Sequence, residues 1–111
     1  MLHSVRIHVM KGYCYILTNK NKTVLYVGAT NNLQRRIQEH KEGKYLNSFT
    51  KKYNVTFLVY FEEFDSTKEA FEREQQLKSG NRKRKEGLIN SINPEWKDLS
   101  DDWIERKMNS K

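Results

Sequence analysis

The sequence has little of the residues that staple, punctuate or anchor a chain. Of its 111 residues one is cysteine, one is proline and five are glycine. Cys14 alone rules out an intrachain disulfide framework and fits a reducing, cytoplasmic setting. That single thiol and the scattered His3, His8 and His40 give no zinc-ligand spacing. No apolar run approaches membrane-spanning length and the N-terminus lacks a signal-peptide core, so no membrane partner is expected. Internal repeats and low-complexity linkers are absent as well. Acid is in deficit too: 21 Lys and Arg face 14 Asp and Glu, a formal charge of +7. That balance favours a polyanionic partner, with nucleic acid ahead of a membrane surface.

What is present suffices for one domain with a modest core. Hydrophobic residues make up 36% and charged residues 32%, so the core is economical and the surface heavily charged. Aromatics at 12% separate the chain from disordered ones. Residues 1–10 read as an N-terminal extension outside the domain, 11–99 as the domain and 100–111 as a C-terminal tail. A monomer is the default state.

Tyr13-Cys14-Tyr15-Ile16-Leu17 reads as a strand, Thr18 to Lys22 as a polar turn, and Thr23 to Val27 as the returning strand of a β-hairpin. Gly28 is expected to end that run. Thr30 or Asn31 can cap a helix whose apolar Leu33 and Ile37 are four apart, and Gly43 stops it. The polar run from there to Asn54 reads as a loop. Its Lys41, Lys44, Lys51 and Lys52 interleave with Tyr45, Phe49 and Tyr53, a composition suited to a nucleic-acid backbone. Val55 to Phe61 is nearly continuous apolar sequence and reads as the central, most buried strand. Ser66, with Glu69 at the capping-box position, opens a helix with an apolar face of Ala70, Phe71 and Leu77. Gly80-Asn81 breaks it. Arg82-Lys83-Arg84-Lys85 then opens a third, short helix whose Leu88, Ile89 and Ile92 pack inward. Cations at a helix start oppose the macrodipole, which points to an anion partner for that cluster. Asn93-Pro94 ends it. The fold class expected is α/β, in the α+β sense: a small, mainly antiparallel three-stranded sheet flanked by helices.

The stretch from Leu25 to His40, LYVGATNNLQRRIQEH, holds the most chemistry. A strand tyrosine, Tyr26, is followed by Arg36 and His40, which share a helix face. A phosphate held there would meet backbone N–H groups at the helix start and positive side chains beyond. Upstream, Tyr15 lies on the other strand of the hairpin. Tyr13-Cys14-Tyr15, Tyr26-Val27-Gly28, LQRRIQEH and REQQLK follow one another, trailed by Arg82 to Lys85 and Asn93-Pro94-Glu95-Trp96. In that order the set resembles the GIY-YIG nuclease superfamily, over roughly residues 11–99, and most closely its small stand-alone members. The first tripeptide keeps only Tyr15 of the family pattern, and the second has Val in place of Ile.

Hydrolysing a phosphodiester needs an activated water, stabilisation of charge at phosphorus and on the leaving oxygen, and a positioned backbone. The resemblance implies that Tyr26 or Tyr15 activates the water and that Arg36 steadies the phosphate. It implies too that Glu74 holds Mg²⁺ or Mn²⁺ beside the leaving oxygen. His40 fills a position where members have Tyr or His, and it can accept a proton or hold the Tyr that does. A late Asn belongs to the set; Asn93 and Asn90 compete for it, with Asn93 favoured. Ala29 stands where many members carry Lys. One carboxylate is few for a metal, so weak metal binding without DNA is expected. The expected function is metal-dependent endonucleolytic hydrolysis of DNA, with low sequence specificity or a preference for structure. Lys51, Lys52, Arg82, Lys83, Arg84 and Lys85 are expected on the nucleic acid. A non-catalytic binding module on the same scaffold and an RNA-directed nuclease are the alternatives. Tyr13, Tyr45, Tyr53 and Tyr60 read as packing residues and Arg35 as a surface charge.

Overall fold

Asn19 builds the hairpin turn: its Oδ1 accepts from the N–H groups of Thr23 (2.9 Å) and Val24 (3.1 Å), and Lys22 adopts φ 61°. On either side run β1 (Gly12–Thr18) and β2 (Leu25–Thr30), paired antiparallel with Tyr15 opposite Gly28 and Leu17 opposite Tyr26. The computed structural model describes residues 10–43 and 48–103. Helix α1 (Leu33–Glu42), helix α2 (Ser48–Tyr53), strand β3 (Phe57–Phe64), helix α3 (Thr67–Ser79) and helix α4 (Arg82–Ile92) follow. The expected extension before Met10, and the end of the expected tail from residue 104, lie outside the described residues. No helix among the described residues is long and apolar enough to cross a membrane.

The sheet is three-stranded and antiparallel, in the order β2-β1-β3. Central place therefore goes to β1, whose Cys14 to Leu17 are all 0% exposed. Val55 to Phe61 does not form the central strand as expected. Its apolar density reflects cover on both faces, Leu58 packing in one half of the core and Val59 in the other, and a further segment closes part of its outer edge. Here Leu99 donates its N–H to the Leu58 carbonyl (2.8 Å) and Asp98 Oδ1 accepts from the Leu58 N–H (3.2 Å). Gly28 likewise does not end β2 but lies inside it.

Alternation along β1 divides the core. Cys14 and Ile16 pack with Leu77 of α3 and Ile89 of α4. Tyr15 and Leu17 pack on the other face with Leu33 and Ile37 of α1, joined by Leu99 and Trp103. Helix α1 is capped by Asn32, not by Thr30 or Asn31; its Oδ1 accepts from Arg35 N–H (3.1 Å). Gly43, at φ 75°, ends it as expected. In its last turn, Lys41 Nζ donates to the Thr56 carbonyl (3.1 Å) and pairs with Asp98. Helix α1 is thus fastened at both ends.

Two further expectations change. The run before Asn54 contains α2, closed by Asn54 at φ 54° and by Val55 N–H donating to the Thr50 carbonyl (3.1 Å). In α3, Ala70 and Leu77 are buried but Phe71 is 58% exposed, and in α4 Ile92 faces out while Ile89 is buried. Gly12 explains the first case. A Cβ there would stand 2.5 Å from the Ser66 carbonyl oxygen and 2.8 Å from Ala70 Cβ, so α3 rests directly on β1 through its smallest side chain. The cap of α3 is the expected one, Ser66 with Glu69.

Candidate active site

Tyr15 and Gly28 face each other across the hairpin, and the absent side chain of one makes room for the other. A Cβ on Gly28 would lie 2.4 Å from the Tyr15 hydroxyl oxygen. The Tyr15 ring therefore lies across β2, and its hydroxyl meets His40 Nε2 at 3.3 Å. His40 also sits edge-on to Tyr26, with ring centroids 5.8 Å apart. Tyr15 and His40 are buried, whereas Tyr26 is half-buried. Arg36, one turn before His40, adds a charge that acts on both Tyr15 and His40. The structure brings these four candidates together.

Their electrostatics separate them. Burial pushes the Tyr15 hydroxyl well above the ordinary tyrosine range, and the Tyr26 hydroxyl adds to this. The Arg36 cation opposes both. Burial lowers His40 to about 4, with the Arg36 charge acting in the same direction. Protonated His40 would carry N–H groups on both ring nitrogens, and its Nδ1 is a buried atom without a hydrogen-bond partner. At neutral pH both groups are uncharged.

An open groove of about 630 Å³ lies at the end of β2, with the start of α1 as one wall and the start of α3 as the other. Thr30, Asn31, Arg35 and Arg36 line one side, and Lys68 and Phe71 the other. Phe71 and Lys68 were not among the expected site residues. The available signal was spacing: Ala70, Glu74 and Leu77 share a helix face that excludes Phe71. Glu74, one turn beyond Phe71, is 8% exposed. Its Oε2 pairs with Lys78 at 3.2 Å, and its Oε1 accepts from Gln75 Nε2 at 3.3 Å. Among the described residues no three His, Cys, Asp or Glu side chains cluster. A metal here would rest on one hard carboxylate, with water and substrate oxygens completing the shell, a donor set that Mg²⁺ accepts.

The remaining candidates stand apart. Asn93 is buried, and its side chain donates to the carbonyls of Val59 (3.0 Å) and Lys97 (2.8 Å) and accepts from Lys97 N–H (3.0 Å). Asn90 accepts from Trp96 Nε1 (2.7 Å). Both asparagines are thus bonded to the segment that closes β3. Arg82 donates to the carbonyls of Lys22 and Thr23 and pairs with Glu86, and Lys85 Nζ donates to the Gly80 carbonyl. This places the start of α4 against the hairpin turn, at the end of β2 opposite the groove. Lys83 and Arg84 are exposed there. Lys51 and Lys52 are exposed on α2, and Tyr53, expected as packing, is 40% exposed beside them. Arg73 holds α3 to β3 through Glu62 (2.9 and 3.1 Å).

Tyr15 and Tyr26 thus stand on paired strands, both against His40, with Arg36 one turn before it and Glu74 on a later helix. The family model described as the GIY-YIG catalytic domain matches residues 11–87, and the chain belongs to that family. It is similar to a UPF0213 protein of Syntrophus aciditrophicus, 44% identical over 85 residues, covering 77% of this chain and 95% of that one. It is similar also to a UPF0213 protein of Clostridium perfringens, 37% identical over 97 residues, covering 87% and 97%. Among solved structures, the solution structure of a UPF0213 protein from Bacillus halodurans matches at 34% identity with a TM-score of 0.47, covering 76% of this chain and 86% of that one.

Proposed function

We propose that this chain is a metal-dependent endonuclease that hydrolyses phosphodiester bonds of DNA. The observation that carries the reading is the convergence of Tyr15, Tyr26, His40 and Arg36 beside a basic groove that α3 closes from the other side. In this reading the phosphate enters the groove and Arg36 donates to its non-bridging oxygens, where a planar guanidinium fits best. Tyr15 is too deeply buried, and its hydroxyl too hard to ionise, to meet a water. Its part is to hold His40. The half-buried Tyr26 is the phenol nearer solvent, so Tyr26, having lost its proton to solvent, orients the attacking water and as the phenolate accepts its proton, with neutral His40 packed on its ring. Glu74 is the metal ligand, and Lys78 holds its charge in the free protein. When bound, Mg²⁺ would stabilise the charge developing on the leaving oxygen.

The test is cleavage of labelled duplex, single-stranded and branched DNA with Mg²⁺, Mn²⁺ or EDTA. Wild type should cut only with metal. Arg36→Ala, Glu74→Ala and Tyr26→Phe should each lose about a hundred-fold or more in rate while keeping their far-UV circular dichroism. Binding by all four proteins with no cutting by any would replace this reading with a non-catalytic binding module.

A further inference from the structure

The rings of the candidate site do not stop at its edge. Tyr26, already in contact with His40, meets Phe49 of α2 at 6.3 Å between centroids, with the planes tilted by 30°. Phe49 in turn meets Tyr53, one helical turn on, at 5.0 Å. The series runs from the buried Tyr15 hydroxyl outward to two rings that are 41% and 40% exposed. Lys52 holds its ammonium 5.4 Å from the Tyr53 ring centre, and Lys51 is exposed beside it.

Exposed rings in contact with one another are an unfavourable surface for water. Beside lysines they suit a flat, apolar partner that also carries negative charge. An unpaired nucleotide is such a partner: its base stacks on the ring and its phosphate meets the lysine. A base inside a continuous duplex cannot do this, because its faces are already stacked.

We propose that Phe49 and Tyr53 form a stacking platform for unpaired bases, so that the preferred substrate is DNA with single-stranded nucleotides beside the bond to be cut. The proposal rests on the nuclease reading for the cutting step alone; the platform itself is a binding property.

The experiment uses the full chain in EDTA with a short single-stranded DNA carrying 2-aminopurine, and the same strand annealed into a blunt duplex. Stacking on a ring quenches the 2-aminopurine. Wild type should quench it and bind the single strand more tightly than the duplex. The double variant Phe49→Leu, Tyr53→Leu keeps apolar volume against Tyr26 but offers no ring. It should lose about ten-fold or more of the single-strand affinity and the quenching, with duplex affinity unchanged. Lys51→Gln with Lys52→Gln should weaken both forms and flatten their salt dependence. Equal or tighter duplex binding by wild type, or a leucine variant that quenches as wild type does, would overturn the proposal; the wild-type arm decides this even if the variant fails to fold. Cleavage with Mg²⁺ is read separately. Ring-dependent binding without cutting would sink the nuclease reading and leave the platform. Cutting that ignores the rings would do the reverse.

Discussion

His40 is packed where its charged form is unwelcome. Burial and the nearby Arg36 cation lower it from 6.5 to about 4. Followed by NMR, its ring should therefore titrate with a midpoint near 4 rather than near 6.5. Stability should respond with a definite sign. Above pH 6.5 the imidazole is neutral in both the folded and unfolded chains and contributes nothing. As pH falls, the unfolded chain takes up the proton and the folded one does not, so stability declines until about pH 4 and then levels. The full drop from this group is on the order of 3 kcal/mol. Urea unfolding at several pH values should show it, with a smaller decline in His40→Gln. The residue pattern made Arg36 and His40 legible as neighbours on one helix face. It could not show that the imidazole is buried against two tyrosines, because that depends on Tyr15 lying across Gly28.

Among the elements, α1 carries both Arg36 and His40, and its start is set by one side chain. Asn32→Ala removes the acceptor for Arg35 N–H and should lower stability by about 1 kcal/mol, read as a shifted urea midpoint. The local signals in the sequence were accurate where the chemistry is local. The Ser66–Glu69 capping box, the Gly43 stop and the hairpin turn all lie where the residues indicated. Misplacement arose where packing decides. Phe71 is apolar and sits on a helix, but the contact surface of α3 is set by Gly12 and Ala70, which admit no large ring. Helix α2 is a short element held by a buried Thr50 and a following Asn54 turn, and its polar composition resembles that of a loop. Asn93 is polar, late in the chain and beside the only proline, which suits a catalytic residue or a cap equally well. Its three hydrogen bonds give it a structural place.

At the scale of the molecule, the segment after α4 fastens the far side of the sheet to the site. Asp98 joins Lys41 of α1, Leu58 of β3 and Ser100. Burial alone would raise the Asp98 carboxyl; the hydrogen bonds from Lys41 and Ser100 outweigh it and hold it below its ordinary range. A lowered carboxylate lends stability above its unfolded value, lost as pH falls through the folded one. Asp98→Asn keeps an acceptor oxygen but not the charge. It should therefore be less stable than wild type at neutral pH by roughly 2 kcal/mol, with the gap closing in acid below about pH 4. Thermal melts at pH 7 and at a series of pH values descending below the unfolded carboxylate range would show both effects.

The same segment bears on how copies of the chain behave when crowded together. β3 is the most apolar run in the sequence, and an outer strand of that kind is a template on which a neighbour's strand can grow. Leu99 and Asp98 already occupy both backbone groups of Leu58, and Glu62 and Glu63 charge the far end of the strand. The residues that brace α1 therefore also block strand addition at Leu58.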